Sequence, residues 1–422
     1  MSTSLTEVSI ANVRCFSGEQ RAHLAKVTLL VGENSVGKTS FLGCLNALGR
    51  LAGLDGLQDR INWFDQEPFS MGSFDTVARS GCASFRVAIG LANGPISEFA
   101  VQCAEGTNVS PKEVALELRL SDSPSETAPT LTIVRENRES RSERWRFDGP
   151  AFRFRLDQSD VSYVQFTTWL AQAVRYGVLP FAGDRTQFRK RMGETTVEDE
   201  AAFIKFTNFF RRRFRPPKIP LRIAPIQAHG LEPQRLYRFN PLAGAGDHVN
   251  LDSVADLGRR IGVFNGIEVR QSGREAFEVL VDVSGAFRNL QDVGYGVASV
   301  LPFLTSLAGA PRNSLFLLQQ PEVHLHPSAQ AKLVDIMTRS EHHFVIETHS
   351  DHVIDWFRIL TREGDLGASD LAIIYFESLP DDPPATRLHQ ISFDRHANMR
   401  GQPRSYREFF SVETARLLGF PP

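Results

Sequence analysis

The sequence predicts an α/β protein built on a parallel sheet core, with an antiparallel β lobe, an inserted helical segment and no long coiled coil. Three observations carry this. Lys26 to Val31 (KVTLLV) is a short apolar run ending at a glycine, and helical apolar spacing follows in FLGCLNALGRL; strand, glycine loop and helix come in that order. From residue 292 onward the strands SLFLLQ, HHFVIET and LAIIYFE alternate with segments of helical period, and repeated α/β alternation implies a parallel sheet. Across residues 70–155, short runs (SFRVAIGLA, EVALELRLS, TLTIVRE, ERWRFDG, FRFRLD) are separated by polar turns, the pattern of an antiparallel lobe.

The 422 residues are 42% apolar and 23% charged with a formal net charge of -2. That is enough apolar material for a sizeable core, and it excludes disordered, collagen-like and disulfide-scaffold classes. The near-neutral balance argues against a bulk polyelectrolyte binder but leaves room for a local basic patch. Cys15, Cys44, Cys82 and Cys103 form no CxxC pair, so no zinc knuckle or redox motif is expected, and scattered thiols fit a reducing cytosol. The first residues, MSTSLTEVSIANVRCF, lack the basic and apolar regions of a signal peptide. Val293 to Pro311 carries no charge but holds three glycines and two prolines; it reads as a loop and a buried helix, not a membrane span. The expected location is cytoplasmic.

The expected organisation has three parts. Residues 1–155 hold the glycine loop and β lobe, 156–220 an inserted helical segment, and 221–422 the rest of the α/β core. Residues 7–31 read as two strands, Glu7 to Arg14 and Lys26 to Val31. Residues 160–215 read as helices that Pro216, Pro217 and Pro220 end. Residues 220–290 read as strand and loop.

Gly32-Glu33-Asn34-Ser35-Val36-Gly37-Lys38-Thr39 matches GxxxxGK[ST]. Glycines let backbone N–H groups curl around phosphate oxygens, and the helix that starts here points its positive end at the anion. Lys38 is expected to reach the β- and γ-phosphates of ATP and Thr39 to ligate Mg²⁺. Gly32, Asn34, Ser35, Gly37, Lys38, Thr39 and Ser40 are the expected nucleotide-binding residues.

Three further motifs stand out, two of them directly after predicted strands. Gln319-Gln320-Pro321-Glu322-Val323-His324-Leu325-His326-Pro327 follows Leu315 to Leu318, and Glu347-Thr348-His349-Ser350-Asp351-His352 follows Phe344 to Ile346. Asp292-Val293-Gly294-Tyr295-Gly296 precedes a helix upstream of both. With the phosphate loop, these resemble ABC-type ATPases of the RecF/SMC/OLD-like branch, and more narrowly the stand-alone AAA-type ATPases of prokaryotic anti-phage defence (Septu-like). The resemblance covers about residues 1–90 and 220–422. It implies an ABC-ATPase-like nucleotide-binding domain and a head-to-tail homodimer with ATP between subunits. It also implies a separate effector, a nuclease, that the dimer regulates.

The resemblance implies roles residue by residue. Asp292, Gly294, Tyr295 and Gly296 stand at the signature loop, which faces the partner subunit's γ-phosphate. His349 stands at the switch histidine. Val323 to Pro327 stands at the D-loop; His324 and His326 there read either as packing and hydrogen-bonding groups or as metal ligands. Arg14 and Phe16 stand where the first strands approach the nucleotide, or fill ordinary structural roles.

One departure is plain. The family pattern places two acids before the proline of the Walker B strand, whereas this chain has Gln319 and Gln320. Gln319 can accept from a Mg²⁺-bound water; Gln320 can orient a water but cannot take its proton. Glu347 and Glu322 are the available substitute carboxylates, and Glu347 reads equally as a buried partner of its loop. Slow or absent hydrolysis is therefore expected.

Between Arg185 and Lys218, arginines and lysines interleave with phenylalanines. Such a surface could hold nucleic acid by phosphate contacts and stacking. It also reads as an amphipathic helix with solvated arginines. No Toprim-sized segment follows His349, no heptads separate the motifs, and no LSGGQ-like signature is present. Two alternatives stay open: a RecF-like ATPase acting directly on DNA, and a non-hydrolysing ATP-dependent scaffold.

Overall fold

The computed structural model describes residues 4–53, 64, 68–92, 96–104, 113–120, 130–137, 143–149, 152–157, 223–227, 250–271, 277–380, 384–406 and 416–419. The chain forms two compact units. One holds Met1–Leu24, Thr39–Ile223 and Ser378–Arg387; the other holds Ala25–Lys38, Ala224–Glu377 and Leu388–Pro422.

The first unit is the antiparallel lobe. Its strands are β1 (Ser4–Val13), β2 (Phe16–His23), β4 (Ser84–Ala92), β5 (Ile96–Ala104), β6 (Glu113–Leu120), β7 (Thr130–Asn137), β8 (Glu143–Gly149) and β9 (Phe152–Asp157). They run in the order β2-β1-β4-β5-β6-β7-β8-β9, each pair antiparallel. Nearly all of helix α1 (Lys38–Gly53) and the short helix α2 (Phe74–Val77) also fall in this unit. Phe41, Leu42, Leu45 and Leu48 of α1 are fully buried, as are Val8, Ile10 and Val13 of β1.

The second unit is the parallel core. Strands β3 (Val27–Gly32), β10 (Ile223–Gln227), β14 (Leu315–Gln319), β15 (His343–Glu347) and β16 (Leu371–Leu379) take the order β10-β14-β15-β3-β16. The pairs β14/β15, β15/β3 and β3/β16 are parallel. β3 is buried along its first four residues, as a strand covered on both faces must be. Among the described residues this unit holds the helices α3 (Leu251–Ile261), α4 (Tyr295–Gly309), α5 (Pro327–Arg339) and α6 (Asp351–Glu363). Their starts are capped by Asn250, Gly294, His326 and Ser350. Gly262 and Gly364, both left-handed, end α3 and α6. A separate antiparallel sheet contains β11 (Gly266–Gln271), β12 (Phe277–Val283) and β13 (Ala286–Asn289). The strand β17 (Ala385–Phe393) pairs with β18 (Met399–Arg400).

The core of this unit is aromatic at its centre. Phe316 stacks on Phe344 at 5.5 Å and meets Phe303 edge-on at 5.9 Å, all three essentially without solvent exposure. Replacing Phe316 by alanine is expected to cost about 3–5 kcal/mol, because the neighbouring rings cannot collapse into the void. Urea unfolding followed by tryptophan fluorescence checks it as a lowered midpoint.

The expected fold class is found: a parallel α/β core, an antiparallel lobe, and no helix among the described residues longer than the 16 residues of α1. The expected helical insert at 156–220 and its Arg185–Lys218 patch lie outside the described residues. No described helix is long and apolar enough to cross a membrane; Val293 to Pro311 forms the turn before α4 and α4 itself.

Local readings differ in three places. Residues 7–31 make three strands, not two. The extra one, β2, buries only Phe16 and Ala22 and otherwise carries polar or partly exposed residues, so its apolar periodicity is faint. Residues 251–261, expected as strand and loop, form α3. Here the Asn250 cap and the buried set Val254, Ala255, Gly258 and Ile261 are a helix signature that the sequence does contain. β5 and β17 are strands that the apolar pattern does not announce, because polar residues interrupt both.

Candidate functional site

Parallel pairing sets where the loops emerge. Gln319 of β14 is opposite Glu347 of β15, Glu347 is opposite Leu30 of β3, and Ile374 of β16 is opposite Leu30 from the other side. The carboxyl ends of these strands therefore line one edge of the second unit, where ligands of open α/β sheets bind. From that edge leave three loops: Gly32–Gly37, Gln320–His326 and Thr348–Ser350.

The first loop needs its glycines. Gly32 has φ +156°, and a Cβ there would lie 2.6 Å from the Phe376 carbonyl oxygen. Gly37 is left-handed at φ +97°. Ser35 is left-handed too, at +63°, a strained state for a residue with a Cβ. Asn34 and Ser35 face solvent, while Lys38 is only 3% exposed. The Lys38 Nζ donates to the Gly32 carbonyl at 2.9 Å and to the Glu33 carbonyl. Burial depresses its pKa, and the carboxylates of Glu347 and Glu33 oppose that shift.

A buried ammonium held on loop carbonyls, beneath backbone that opens a helix, is a donor set suited to a phosphate chain. The residues present thus fit a nucleoside triphosphate. Thr39, the next residue of α1, is exposed.

The second loop carries the glutamine departure. Gln319 and Gln320 are both half-buried. Gln320 is left-handed at φ +44°, and its N–H donates to the Glu347 carbonyl at 2.8 Å. Glu322 is 4% exposed. Its Oε1 accepts from Thr348 Oγ1 at 2.6 Å and from the His349 N–H at 3.3 Å. Burial raises the Glu322 pKa, donated hydrogen bonds lower it, and the charge of Glu347 raises it further.

His324, also left-handed at +66°, lies with its ring 5.5 Å from that of Tyr295. His326 plays a structural part, since its Nδ1 accepts from the Ser328 N–H and caps α5. Among the described residues no group of three or more His, Cys, Asp or Glu side chains is placed to hold a metal.

The third loop presents Glu347, 4% exposed, and His349, which faces solvent. Desolvation, then the positive Lys38, holds the His349 pKa below the ordinary histidine value. A neutral imidazole is therefore the form presented at neutral pH.

The Asp292–Gly296 segment belongs to the same unit. Asp292 ends a 3-10 turn, Gly294 caps α4 in extended geometry, and Tyr295 is 79% exposed. A Cβ at Gly296 would lie 2.9 Å from the His324 carbonyl oxygen. Ser299 Oγ donates to the carbonyls of Gly296 and Val323. Close backbone approach thus docks this helix start on the Glu322–Leu325 turn.

In the first unit, Arg14 is left-handed at φ +45°. Its guanidinium donates to Ser40 Oγ at 3.1 Å, to the Met71 carbonyl at 2.8 Å and to the Thr76 carbonyl at 3.1 Å. Arg79, 9% exposed, donates to the carbonyls of Arg14, Cys15 and Pro384 and so fixes that turn. Phe16 is fully buried core.

Sequence reasoning does not single out Thr348, Ser350, Gln330 or Arg79. Ser350 before Asp351 is a helix-cap signal that points to its role; the others show themselves only through contacts.

The buried Glu322 carries a pH expectation. A folded-state pKa raised above the ordinary 4.5 gives stability that is complete below that value. This stability is lost as pH rises through the folded pKa. The charge that acts on Glu322 is that of Glu347, and the Thr348 hydroxyl and His349 N–H face it from the neighbouring loop. Glu322→Gln should therefore gain stability relative to wild type as pH rises above the ordinary carboxylate value of 4.5, read as a growing difference in Tm.

Comparison with known proteins adds three findings. Residues 104–355, more than half of the chain, match the family profile described as "AAA domain, putative AbiEii toxin, Type IV TA system". The matched span includes the segments Asp292–Gly296, Gln320–His326 and Thr348–Ser350; the Gly32–Gly37 loop lies before it. No curated protein matches. Among solved structures, the SMC head domain from Thermotoga maritima is similar at 11% identity and a TM-score of 0.40, covering 91% of this chain and 98% of that chain. An Smc head domain with an extended coiled coil, derived from Pyrococcus furiosus, is similar at 10% identity and a TM-score of 0.42, covering 98% of this chain and 100% of that chain.

Proposed function

Since the chain belongs to the AAA-domain family described as putative AbiEii toxins of type IV toxin–antitoxin systems, we propose that it is an ATP-binding subunit that dimerises head to tail around ATP and regulates a separate effector, a nuclease, in anti-phage defence. The observation that carries the reading is the register of β14, β15 and β3. It brings the buried Lys38, the Gln319-Gln320 pair, Glu347 and His349 to one strand-end edge.

ATP would supply the triphosphate charge that two subunits share. In this reading Lys38 and the loop amides hold the phosphates, and Thr39 and Gln319 are the proposed Mg²⁺ ligands. Gln320 orients a water and cannot accept its proton, so hydrolysis is slow or absent and nucleotide occupancy is the signal. Glu347, whose charge opposes the desolvation of Lys38, is the proposed substitute base. The α4 start at Gly294–Gly296 would meet the partner's γ-phosphate. Nucleotide shifts the monomer–dimer balance only by the affinity it has for one state over the other. The family description, which names a toxin system, supports the defence role; the nuclease effector rests on the resemblance in the motifs.

Gly294→Asp tests the dimer. Gly294 has ordinary extended geometry, and nothing lies within 4 Å of where its Cβ would be, so the substitution is sterically tolerated. It sets a carboxylate where the partner's phosphate is proposed to sit. Light scattering with and without ATP should show wild type dimerising on ATP, and the variant binding ATP but staying monomeric. A variant that dimerises as wild type does would sink the head-to-tail arrangement.

A further inference from the structure

The notion that Glu322 serves as a proton acceptor conflicts with its surroundings. Its Oε1 already accepts two hydrogen bonds, from Thr348 Oγ1 and the His349 N–H. Its Oε2 is enclosed and has no hydrogen-bond partner among the described residues. A base needs a lone pair that reaches the water it deprotonates, and neither oxygen offers one.

The bonds instead run toward the turn that carries His349. Thr348 Oγ1 accepts from the Ser350 N–H at 3.1 Å. Ser350 Oγ donates to Gln330 Oε1 at 2.7 Å and caps α6 by accepting from the Val353 N–H. Gln330 Nε2 donates in turn to the Leu325 carbonyl at 3.0 Å. Glu322 thus grips the residue before His349 and the His349 backbone, while Gln330 grips the residue after it. Both anchors sit on the Glu322–Leu325 turn or on the helix that follows, the same turn on which the α4 start rests.

We infer that Glu322 and Gln330 are positioning residues that clasp the Thr348–Ser350 turn to the Glu322–Leu325 turn and thereby set where the His349 imidazole stands at the strand-end edge. The clasp links the proposed histidine switch to the proposed D-loop, so a shift in either displaces the other. Its functional meaning rests on the reading of that edge as a nucleotide site; its geometry does not. The raised pKa of Glu322 agrees, since a neutral carboxyl still accepts through Oε1.

The test compares Glu322→Gln, Glu322→Ala, Gln330→Ala and wild type as full chains, reading the His349 ring resonances by NMR without and with ATP. Glu322→Gln keeps an acceptor oxygen for Thr348 and His349, so its His349 resonance and ATP affinity should stay within about twofold of wild type. Gln330→Ala and Glu322→Ala should each move the resonance in the nucleotide-free protein and weaken ATP binding about tenfold. Should Glu322→Ala fail to fold, Gln330→Ala alone decides. An unmoved His349 resonance in Gln330→Ala overturns the clasp, and so does a Glu322→Gln chain that behaves like Glu322→Ala. If wild type binds no ATP, the nucleotide reading falls, while the nucleotide-free resonances still decide the clasp.

Discussion

Glu347→Gln is expected to cut any phosphate release by the wild-type protein about 10²–10⁴-fold, the usual contribution of a positioned general base. Three observations single out Glu347. Gln319 and Gln320 occupy the positions where acids are expected, and an amide cannot take a proton from water. Both carboxylate oxygens of Glu322 are closed off. Glu347 itself lies on the strand next to the phosphate loop, pairing with Leu30, and interacts electrostatically with Lys38. Single-turnover assays with labelled ATP check this. ATP affinity should not fall, because the substitution removes a negative charge beside the phosphates. A variant releasing phosphate at the wild-type rate would show that Glu347 is a buried partner of its loop and nothing more. Release at background by the wild type itself, with ATP still bound, would make the protein a nucleotide-dependent scaffold.

Lys38→Ala is expected to weaken ATP binding by about 10- to 150-fold, the worth of a charged hydrogen-bond partner at ~1.5–3 kcal/mol. The ammonium is buried at the base of the loop, and burial lowers its pKa. A bound triphosphate would reverse that penalty, so its loss should be felt in full. Isothermal titration gives the affinity, and light scattering gives the linked loss of ATP-dependent dimerisation. Wild-type affinity in the variant would refute the assignment of Gly32–Thr39 as a phosphate cradle.

Much of the site was legible because its motifs are local. The run from Gly32 to Thr39 names its own chemistry by spacing, since glycine at φ +156° and +97° and a lysine at the helix start act within eight residues. The strand before it is buried on both faces and so reads as a continuous apolar run. α3 shows the opposite failure. Its cap and its apolar period are in the sequence, yet they sit in a polar stretch with a mean character close to that of a loop. The β2 strand was unreadable for a firmer reason, because most of its residues face away from any core.

The sequence by itself determined the α/β class, the phosphate loop, the order of the loops and the missing Walker B acids. Each is a property of residues close together in the chain. Tertiary structure alone decided which of two buried glutamates lies beside Lys38 and which is taken up by the neighbouring loop. Glu322 and Glu347 look alike in one dimension, both acids just after an apolar strand. Parallel pairing of β14, β15 and β3 sets Glu347 beside Lys38, while Thr348 and His349, 26 and 27 residues further along the chain, take up the Glu322 carboxyl. Hydrogen bonds between distant loops follow from the register of the strands that carry them, and register is fixed by packing across the sheet.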